Sequence, residues 1–316
     1  MKVLITGGAG FIGTNLVHYL TNKGYEVEIL DDLSTGLKTN VSKSIKFHEG
    51  TIENFELVRQ LLKQNNAVVH LAARGSVPRS IKNPVLTQQV NVMGTLNVLE
   101  AAREFGCHVV FSSSSSVYGS NTILPKAEDQ VLRPLTPYAA SKMSGEALMM
   151  AYGASYGLPV TNLRFFNVFG PWQRPDHIYS AVIPKWIWSG ITGQKIEVYG
   201  DGNQSRDFTS VDTVTHVIHR ALNEKIISAE PVNLALGNSI TLNFLVEKLK
   251  EFFPNLQVEY KPPRSGDVYA SQNDSSLLLK KFSGLKVKPF DVSLAETVEW
   301  MSSHFDLITG GPGVTD

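Results

Sequence analysis

A glycine-rich segment near the start of the sequence constrains the fold more than any other feature. Gly7, Gly10 and Gly13 are spaced three residues apart, directly after a short β-branched run and just before a helical pattern. Glycines at a strand-to-helix turn let the backbone approach a pyrophosphate, whose charge is met by the N-terminal amides of the helix. An ordinary glycine-rich turn has the same spacing, so this motif alone leaves both interpretations open.

Two carboxylates end the second predicted strand. Asp31 and Asp32 lie about twenty residues beyond the glycines, where a carboxylate accepts hydrogen bonds from the adenosine ribose hydroxyls. A carboxylate there also repels a 2′-phosphate, and no arginine follows before Lys38. The glycine loop and the acidic pair together predict a site for NAD rather than NADP.

Short β-branched runs alternate with longer helical patterns through the first half of the chain, which predicts βαβ units. We therefore expect an α/β fold with a Rossmann-type, doubly wound parallel sheet. The expected strands are 2–6, 26–30, 67–71, 108–112 and 160–164, and the expected helices are 11–23, 54–63, 84–105, 138–156, 180–189, 211–223, 241–252 and 293–304. The expected units are an NAD-binding domain at 1–165, a smaller C-terminal α/β substrate lobe at 166–309, with elements free to interleave, and a flexible tail at 310–316.

Composition excludes several classes of partner. The 29 Lys and Arg residues balance 29 Asp and Glu residues, so no broad basic field exists to hold a nucleic acid or an anionic membrane. The single cysteine, Cys107, can form neither an internal disulfide nor a thiolate metal site, which favours a reducing compartment. The sequence shows no membrane-length apolar run and no signal-peptide pattern. We expect a cytoplasmic protein with a small-molecule substrate.

No metal is assigned. Asp212, His216 and His219 have a helical spacing that suits metal ligands, but a single turn of mixed residues is more simply explained as a solvated helix face.

A tyrosine and a lysine form the candidate catalytic pair. Tyr138 and Lys142 open a predicted helix at a spacing that places both on one face. A phenol with a free pKa of about 10 acts as a base near neutrality only beside cations, here the Lys142 ammonium and an oxidised nicotinamide. A surface pair would share this spacing. However, the serine run 112–116 ends a predicted central strand, at the edge where open α/β sheets bind ligands.

Several motifs together resemble the nucleotide-sugar epimerases and dehydratases of the extended short-chain dehydrogenase family. The resemblance covers nearly the whole chain and rests on GGAGFIG, Asp31, HLAA at 70–73, the N-V-x-G-T of 91–95, SSSSSVYG, YAASK and LRFFNVFGP. It implies that Ser114 assists Tyr138 and Lys142 in catalysis. Dehydratases of the family usually continue with an Asp-Glu pair where this sequence has Ser115 and Ser116, a departure that favours an epimerase.

Within the family, the chain is most similar to bacterial UDP-N-acetylglucosamine 4-epimerases, through GSVPRS at 75–80, Ser114 to Ser116 and AVIPKW at 181–186. The resemblance implies a 4-keto intermediate, NAD as cofactor and a homodimer. The implied NAD-contacting residues are Gly7, Gly10, Phe11, Ile12, Gly13, Asp31, Asp32, Thr51, Ile52, Leu71, Ala72, Ala73, Asn91, Tyr138 and Lys142. The implied UDP-sugar contacts are Ser76, Ser115, Ser116, Asn167, Val182, Tyr199, Arg206, Arg264, Asp267 and Ser271.

Other activities stay open at this point. The same scaffold could act on UDP-glucose, UDP-galactose or a UDP-uronate, or serve as another nucleotide-sugar oxidoreductase or dehydratase. Thr51 stands where the family commonly has Asp, Phe165 where Tyr is frequent, and Pro171-Trp172 where a basic residue is common. The intact Ser114, Tyr138 and Lys142 argue against a non-catalytic NAD-binding regulator.

The residue expected to face carbon 2 of the sugar is Ser271. In the family a large residue there, usually Tyr, accompanies restriction to plain hexoses, whereas a small residue accompanies acceptance of an N-acetyl group. Ser271 therefore implies an N-acetylated sugar.

Overall fold

The computed structural model describes residues 1–175, 181–263 and 269–304. The strands are β1 Lys2–Thr6, β2 Glu26–Asp31, β3 Lys46–Glu49, β4 Ala67–His70, β5 His108–Ser114, β6 Val160–Phe165, β7 Asn167–Phe169, β8 Ile196–Tyr199, β9 Ser205–Arg206, β10 Phe208–Ser210, β11 Ser228–Leu234, β12 Ile240–Thr241 and β13 Val258–Lys261. The helices are α1 Phe11–Asn22, α2 Phe55–Leu62, α3 Val77–Lys82, α4 Pro84–Gln88, α5 Gly94–Phe105, α6 Pro137–Tyr156, α7 Val182–Thr192, α8 Val211–Asn223, α9 Leu242–Phe252, α10 Ser276–Lys281 and α11 Phe290–Ser303.

A seven-stranded parallel sheet forms the centre of the fold. Its strand order is β11-β6-β5-β4-β1-β2-β3, which confirms the expected doubly wound α/β architecture. The order reverses between β1 and β4, so the loops after these two strands diverge and leave a crevice at their carboxyl ends. The glycine loop occupies this crevice.

Helices cover both faces of the sheet, as the apolar strands require. On one face, α1 and α8 pack in a core with β1 and β2; on the other, α2, α5 and α6 pack against β4 and β5. A third core joins α7, α9 and α11 in the smaller lobe, together with the two-stranded pairs β7-β10 and β8-β13. In the described part of the chain, no helix combines the length and apolarity needed to cross a bilayer.

The helix α6 shows how local sequence sets an element. Thr136 caps its N-terminus by accepting a hydrogen bond from the Ala139 amide at 3.2 Å, and Pro137 occupies the first turn, where its missing N–H costs nothing. Gly157 ends the helix in the left-handed conformation at φ 62°. These signals fix α6 to within one residue of the expected bounds, 138–156.

Several elements differ from those expected from the sequence. Strands β3 and β11 join the main sheet although sequence patterns did not identify them. The segment expected as one helix over 84–105 is interrupted by a π-helical turn at Gln89–Met93. β11 and α8 return to the large sheet from beyond residue 165, an interleaving of elements for which the expected division left room.

Candidate active site

The glycine loop forms the floor of the cleft at the end of β1. A Cβ on Gly13 would lie 2.2 Å from the Gly7 carbonyl oxygen, and one on Gly7 would lie 2.8 Å from the Ala72 amide nitrogen. Gly7 also has a φ of 73°, which side-chain-bearing residues rarely adopt. Glycine is therefore required for the loop to pack under the first turn of α1.

The N-terminus of α1 faces this cleft with backbone donors. Gly10 is the N-cap residue of α1 and has no side chain that could cap the helix. The structure describes the whole first turn, and no acidic residue lies in it. Helix N-terminal amides without a capping side chain bind anions, because the amides and the helix dipole both favour negative charge. The arrangement fits a pyrophosphate.

The two carboxylates after β2 have different environments. Asp31 is buried and accepts hydrogen bonds from the Ala9 amide at 2.9 Å and the Leu33 amide at 2.8 Å. Burial raises the pKa of Asp31, and the two backbone donors oppose this shift. Asp32 is exposed and accepts from the Ser34 amide at 2.9 Å. Asp31 thus fixes the glycine loop against β2, while Asp32 is open to solvent at the cleft.

The cleft has a volume of about 500 Å³, within the range of small-molecule sites. It brings together most of the residues expected to contact NAD: Gly7, Gly10, Phe11, Ile12, Gly13, Asp31, Asp32, Thr51, Ile52, Leu71, Ala72 and Ala73. These residues follow β1, β2, β3 and β4, whose carboxyl ends meet at one edge of the sheet. The donors, glycines and carboxylates fit a dinucleotide.

Sequence reasoning missed further residues of the cleft wall. Arg74 and Glu53 both line it, and Arg74 is held by a pair of hydrogen bonds between its backbone and the Asn91 amide group. Thr51 donates to the Glu53 carboxylate at 3.2 Å, so a carboxylate lies two residues beyond the position where the family commonly has Asp. Arg74 directly follows the HLAA motif, and this position in the sequence could have identified it as a residue of the cleft wall.

Asn91, expected to contact NAD directly, does not line the cleft cavity. It is buried, and besides the Arg74 backbone its amide donates to the Ser141 hydroxyl at 2.9 Å. The Ser141 hydroxyl in turn donates to the Tyr138 carbonyl at 2.7 Å. The π-helical turn thus places Asn91 between the cleft wall and the first turn of α6.

The candidate catalytic side chains meet where β5 ends and α6 begins. The Ser114 side chain lies beside the Tyr138 hydroxyl, and the Lys142 ammonium donates to the Ser112 carbonyl at 2.8 Å. Ser112 lines the cleft, so Lys142 lies against its inner wall. The structure therefore brings together the three residues that the sequence selected.

Burial controls the protonation of this group. It raises the pKa of Tyr138, a shift that the adjacent Ser114 side chain opposes, and it lowers the pKa of Lys142 to about 8. His70 is buried beside them, and burial together with the Lys142 charge lowers its pKa to about 3. A neutral His70, bonded to Thr6 at 2.8 Å and Thr95 at 3.0 Å, leaves Lys142 as the cation of this group.

Three of the residues expected to contact the UDP-sugar lie on segments that hydrogen-bond to one another in the smaller lobe. Asn167 begins β7, and its amide donates to the Asp207 carbonyl at 3.2 Å. Arg206 lies on β9 next to Asp207, and the Ser271 amide donates to the Ser205 carbonyl at 3.1 Å. Asn167, Arg206 and Ser271 therefore lie in one connected region.

The other expected contacts are distributed around the two lobes. Ser115 and Ser116 form a turn after β5 in which the Ser116 hydroxyl is buried and has no hydrogen-bond partner among the described residues. Ser76 caps α3, Val182 begins α7, and Tyr199 ends β8 with its hydroxyl donating to Glu197 at 2.8 Å. Arg264 and Asp267 lie outside the described residues.

Comparison with known proteins gives long matches. A model of the NAD dependent epimerase/dehydratase family matches residues 3–235. A UDP-N-acetylglucosamine 4-epimerase from Methanobrevibacter ruminantium, solved with UDP-N-acetylmuramic acid, is 36% identical, with a TM-score of 0.90 over 96% of this chain and 98% of that one. The UDP-glucose 4-epimerase of Thermus thermophilus, solved with NAD, is 35% identical, with a TM-score of 0.84 over 95% and 98%. A UDP-glucuronate 4-epimerase of Thermodesulfobacterium geofontis is 33% identical over 96% of this chain and 97% of its own length.

Proposed function

Because the chain belongs to the NAD dependent epimerase/dehydratase family, we propose that it inverts carbon 4 of a UDP-N-acetylhexosamine, interconverting UDP-GlcNAc and UDP-GalNAc. UDP-glucose and UDP-galactose would be further, poorer substrates. The observation that carries the reaction class is the cluster of Ser114, Tyr138 and Lys142 at the inner wall of the cofactor cleft, followed by Ser115 and Ser116 instead of an acidic pair.

NAD, the family's cofactor, supplies the acceptor and donor of the hydride exchanged at carbon 4. Tyr138, as phenolate, takes the proton of the 4-hydroxyl directly or through Ser114, whose side chain lies beside it. The Lys142 ammonium stabilises the phenolate by its charge. When the hydride returns, the same phenol gives the proton back, so neither protons nor electrons are consumed overall.

Inversion requires the 4-keto sugar to present its opposite face while the nucleotide stays bound. In this proposal Asn167 on β7 and Arg206 on β9 hold the nucleotide, together with Arg264, which the family resemblance adds. An arginine fork suits a diphosphate because it makes several charge-assisted hydrogen bonds in fixed geometry. A firmly held UDP with a free sugar is the arrangement that the reaction needs.

A panel of nucleotide sugars tests the substrate assignment. The holoenzyme is incubated with UDP-GlcNAc, UDP-glucose and UDP-glucuronate, and the stereochemistry at carbon 4 is followed by NMR. We expect epimerisation of UDP-GlcNAc to have the highest kcat/KM. UDP-glucuronate is the second candidate, because one of the relatives is a 4-epimerase of that sugar; if it is preferred, the N-acetylhexosamine assignment is wrong while the reaction class stands.

Ser271→Tyr is expected to remove activity on UDP-GlcNAc and to preserve activity on UDP-glucose. Ser271 is adjacent in space to the strand of Arg206 through its bond to Ser205, so a phenol at 271 would fill space beside the bound sugar. A steric clash excludes the larger N-acetyl group, whereas a roomy pocket discriminates only weakly against the smaller sugar. The measurement is kcat/KM for both sugars, with Ser239→Tyr as the control from the same region. An unchanged ratio in Ser271→Tyr would show that residue 271 does not select the sugar.

We also infer a homodimer. Large apolar side chains are exposed on the surface formed by α3 to α6: Ile81 (63%), Val85 (66%), Met93 (53%), Met143 (39%) and Met150 (39%). Met143 and Met150 are seven residues apart on α6 and share one helix face. A second copy of the same surface would cover this patch with matching helices, as an isologous interface requires.

Charge on this surface should separate the subunits. The double variant Met93→Lys/Met150→Lys is expected to sediment as a monomer near 34.8 kDa, because two desolvated ammonium groups per subunit disfavour association. Leu279→Lys, an equally simple change at an exposed α10 position, should leave the dimer intact. A wild-type protein that is monomeric at micromolar concentration would contradict the dimer.

A further inference from the structure

Glu146 is a buried carboxylate for which the proposed reaction has no direct use. It lies on α6 four residues after Lys142 and is only 2% exposed. A buried ionised carboxylate requires an opposite charge and several hydrogen-bond donors, since burial otherwise favours its neutral form. Two neighbouring strands of the main sheet supply both.

Arg164 on β6 is the opposite charge. Its Nε donates to Glu146 Oε1 and its Nη2 to Glu146 Oε2, each at 2.8 Å, in a bidentate pair. Arg164 is also only 2% exposed, and its Nη1 donates to the Tyr118 hydroxyl at 2.8 Å. The carboxylate is therefore held in one orientation inside the protein.

Ser113 on β5 supplies the third donor. Its hydroxyl donates to Glu146 Oε1 at 2.5 Å, and the next residue along β5 is Ser114, whose side chain lies beside Tyr138. A Cβ on Gly145 would lie 2.5 Å from the Phe111 ring, so α6 approaches β5 as closely as glycine allows. Glu146 thus joins the strand that carries Ser114 to the helix that carries Tyr138 and Lys142.

The charge of Glu146 also acts on Lys142. The two side chains are one turn apart on α6 and both are buried, where charges interact more strongly than in water. The carboxylate favours the ammonium form and opposes the burial that lowers the pKa of Lys142. Lys142 and Glu146 therefore differ from an exposed helix pair, whose interaction solvent would screen.

We propose that Glu146 is a positioning residue that sets Ser114 against Tyr138 and keeps Lys142 charged, an inference that rests on the catalytic roles proposed above. The competing explanation is an ion pair that stabilises the fold and has no influence on the reaction. The two explanations differ in the pH dependence of kcat, because only the first couples Glu146 to the Lys142 proton.

Glu146→Gln tests whether the Glu146 charge influences Lys142, because it removes the charge and leaves the side-chain size almost unchanged. We expect kcat at neutral pH to fall at least about tenfold while the KM for the UDP-sugar changes less than about twofold, since Asn167 and Arg206 lie on other elements. Without the carboxylate, and with the Arg164 charge unpaired, the pKa of Lys142 falls further. The ammonium is then lost at lower pH, so the alkaline limb of the kcat profile should move down by about one pH unit.

Glu100→Gln is the matched control. Glu100 on α5 also accepts hydrogen bonds from an arginine, Arg103 at 2.7 Å, and from a hydroxyl on α6, Tyr152. It is partly exposed and remote in sequence from the β5 end. This variant should keep the wild-type kcat and pH profile.

A second variant covers the case in which Glu146→Gln does not fold. Glu146→Leu/Arg164→Met removes both charges, and replacing a whole buried ion pair by apolar side chains is often neutral for stability. We expect this double variant to show lowered kcat and the same downward direction of the alkaline limb. Wild-type kcat and pH dependence in the double variant would overturn the proposal.

Tyr138→Phe, assayed in parallel, separates this inference from the proposed function. If Tyr138→Phe retains turnover, the proposed catalytic roles fail independently of Glu146. If Tyr138→Phe is inactive while Glu146→Gln keeps the wild-type kcat and alkaline limb, only the positioning role of Glu146 is overturned.

Discussion

Tyr138→Phe is expected to lower kcat at least about 100-fold, the contribution typical of a general acid-base group, while bound NAD and the fold are retained. The aromatic ring keeps its packing, but the oxygen that exchanges the proton of the 4-hydroxyl is lost. Ser114 cannot replace it, since its hydroxyl does not ionise near neutrality. Lys142→Met should also lower kcat strongly, because the phenolate loses the nearby ammonium.

The measurement is the epimerisation rate by NMR, with NAD content determined after denaturation. Tyr152→Phe provides the control, because it removes the same atom from the same helix at a position where the hydroxyl bonds Glu100. Near wild-type turnover of Tyr138→Phe with NAD still bound would mean that the catalytic assignment is wrong.

Gly13→Ala is expected to destabilise the protein and to remove most of its bound NAD. The added methyl group would lie 2.2 Å from the Gly7 carbonyl oxygen and 2.6 Å from the Gly8 Cα, and neither backbone atom can move aside as a flexible side chain would. Overpacking of this kind costs about 1–3 kcal/mol of the free energy of unfolding. The displaced loop would also misalign the α1 amides that bind the pyrophosphate.

Denaturant unfolding of the nucleotide-free protein and NAD content after purification are the two readouts for Gly13→Ala. Gly10→Ala serves as the stability control, because the one described atom that a Cβ there meets is the Gly7 carbonyl oxygen, at 3.3 Å. Its free energy of unfolding should stay near the wild-type value. Equal stability of both variants, with full NAD in Gly13→Ala, would contradict the tight packing of the loop.

The sequence by itself determined the features that depend on local chemistry. Glycine spacing after a β-branched run located the cofactor loop, and the capping residues Thr136 and Gly157 bounded α6 almost to the residue. Because the carboxyl ends of parallel strands meet at one edge, the residues after β1 and β2 could be assigned to one cleft from their order. The residues after β3 and β4 were assigned to it by the family resemblance. That cleft contains most of the residues expected to contact NAD.

Only the tertiary structure decided which distant segments pair with one another and which residues become partners of the buried polar and charged groups. β11 joins β6 across more than sixty residues of chain, and its mixed sequence carries no period that would mark it as a strand of the main sheet. Asn91 carries a family motif, yet the π-helical turn directs it to Arg74 and Ser141 and away from the cavity. The burial of Glu146 follows from Arg164 and Ser113, two donors on different strands. Sequence patterns report which residues are apolar or turn-forming, whereas the partner of a buried charge is fixed only when the strands and helices pack.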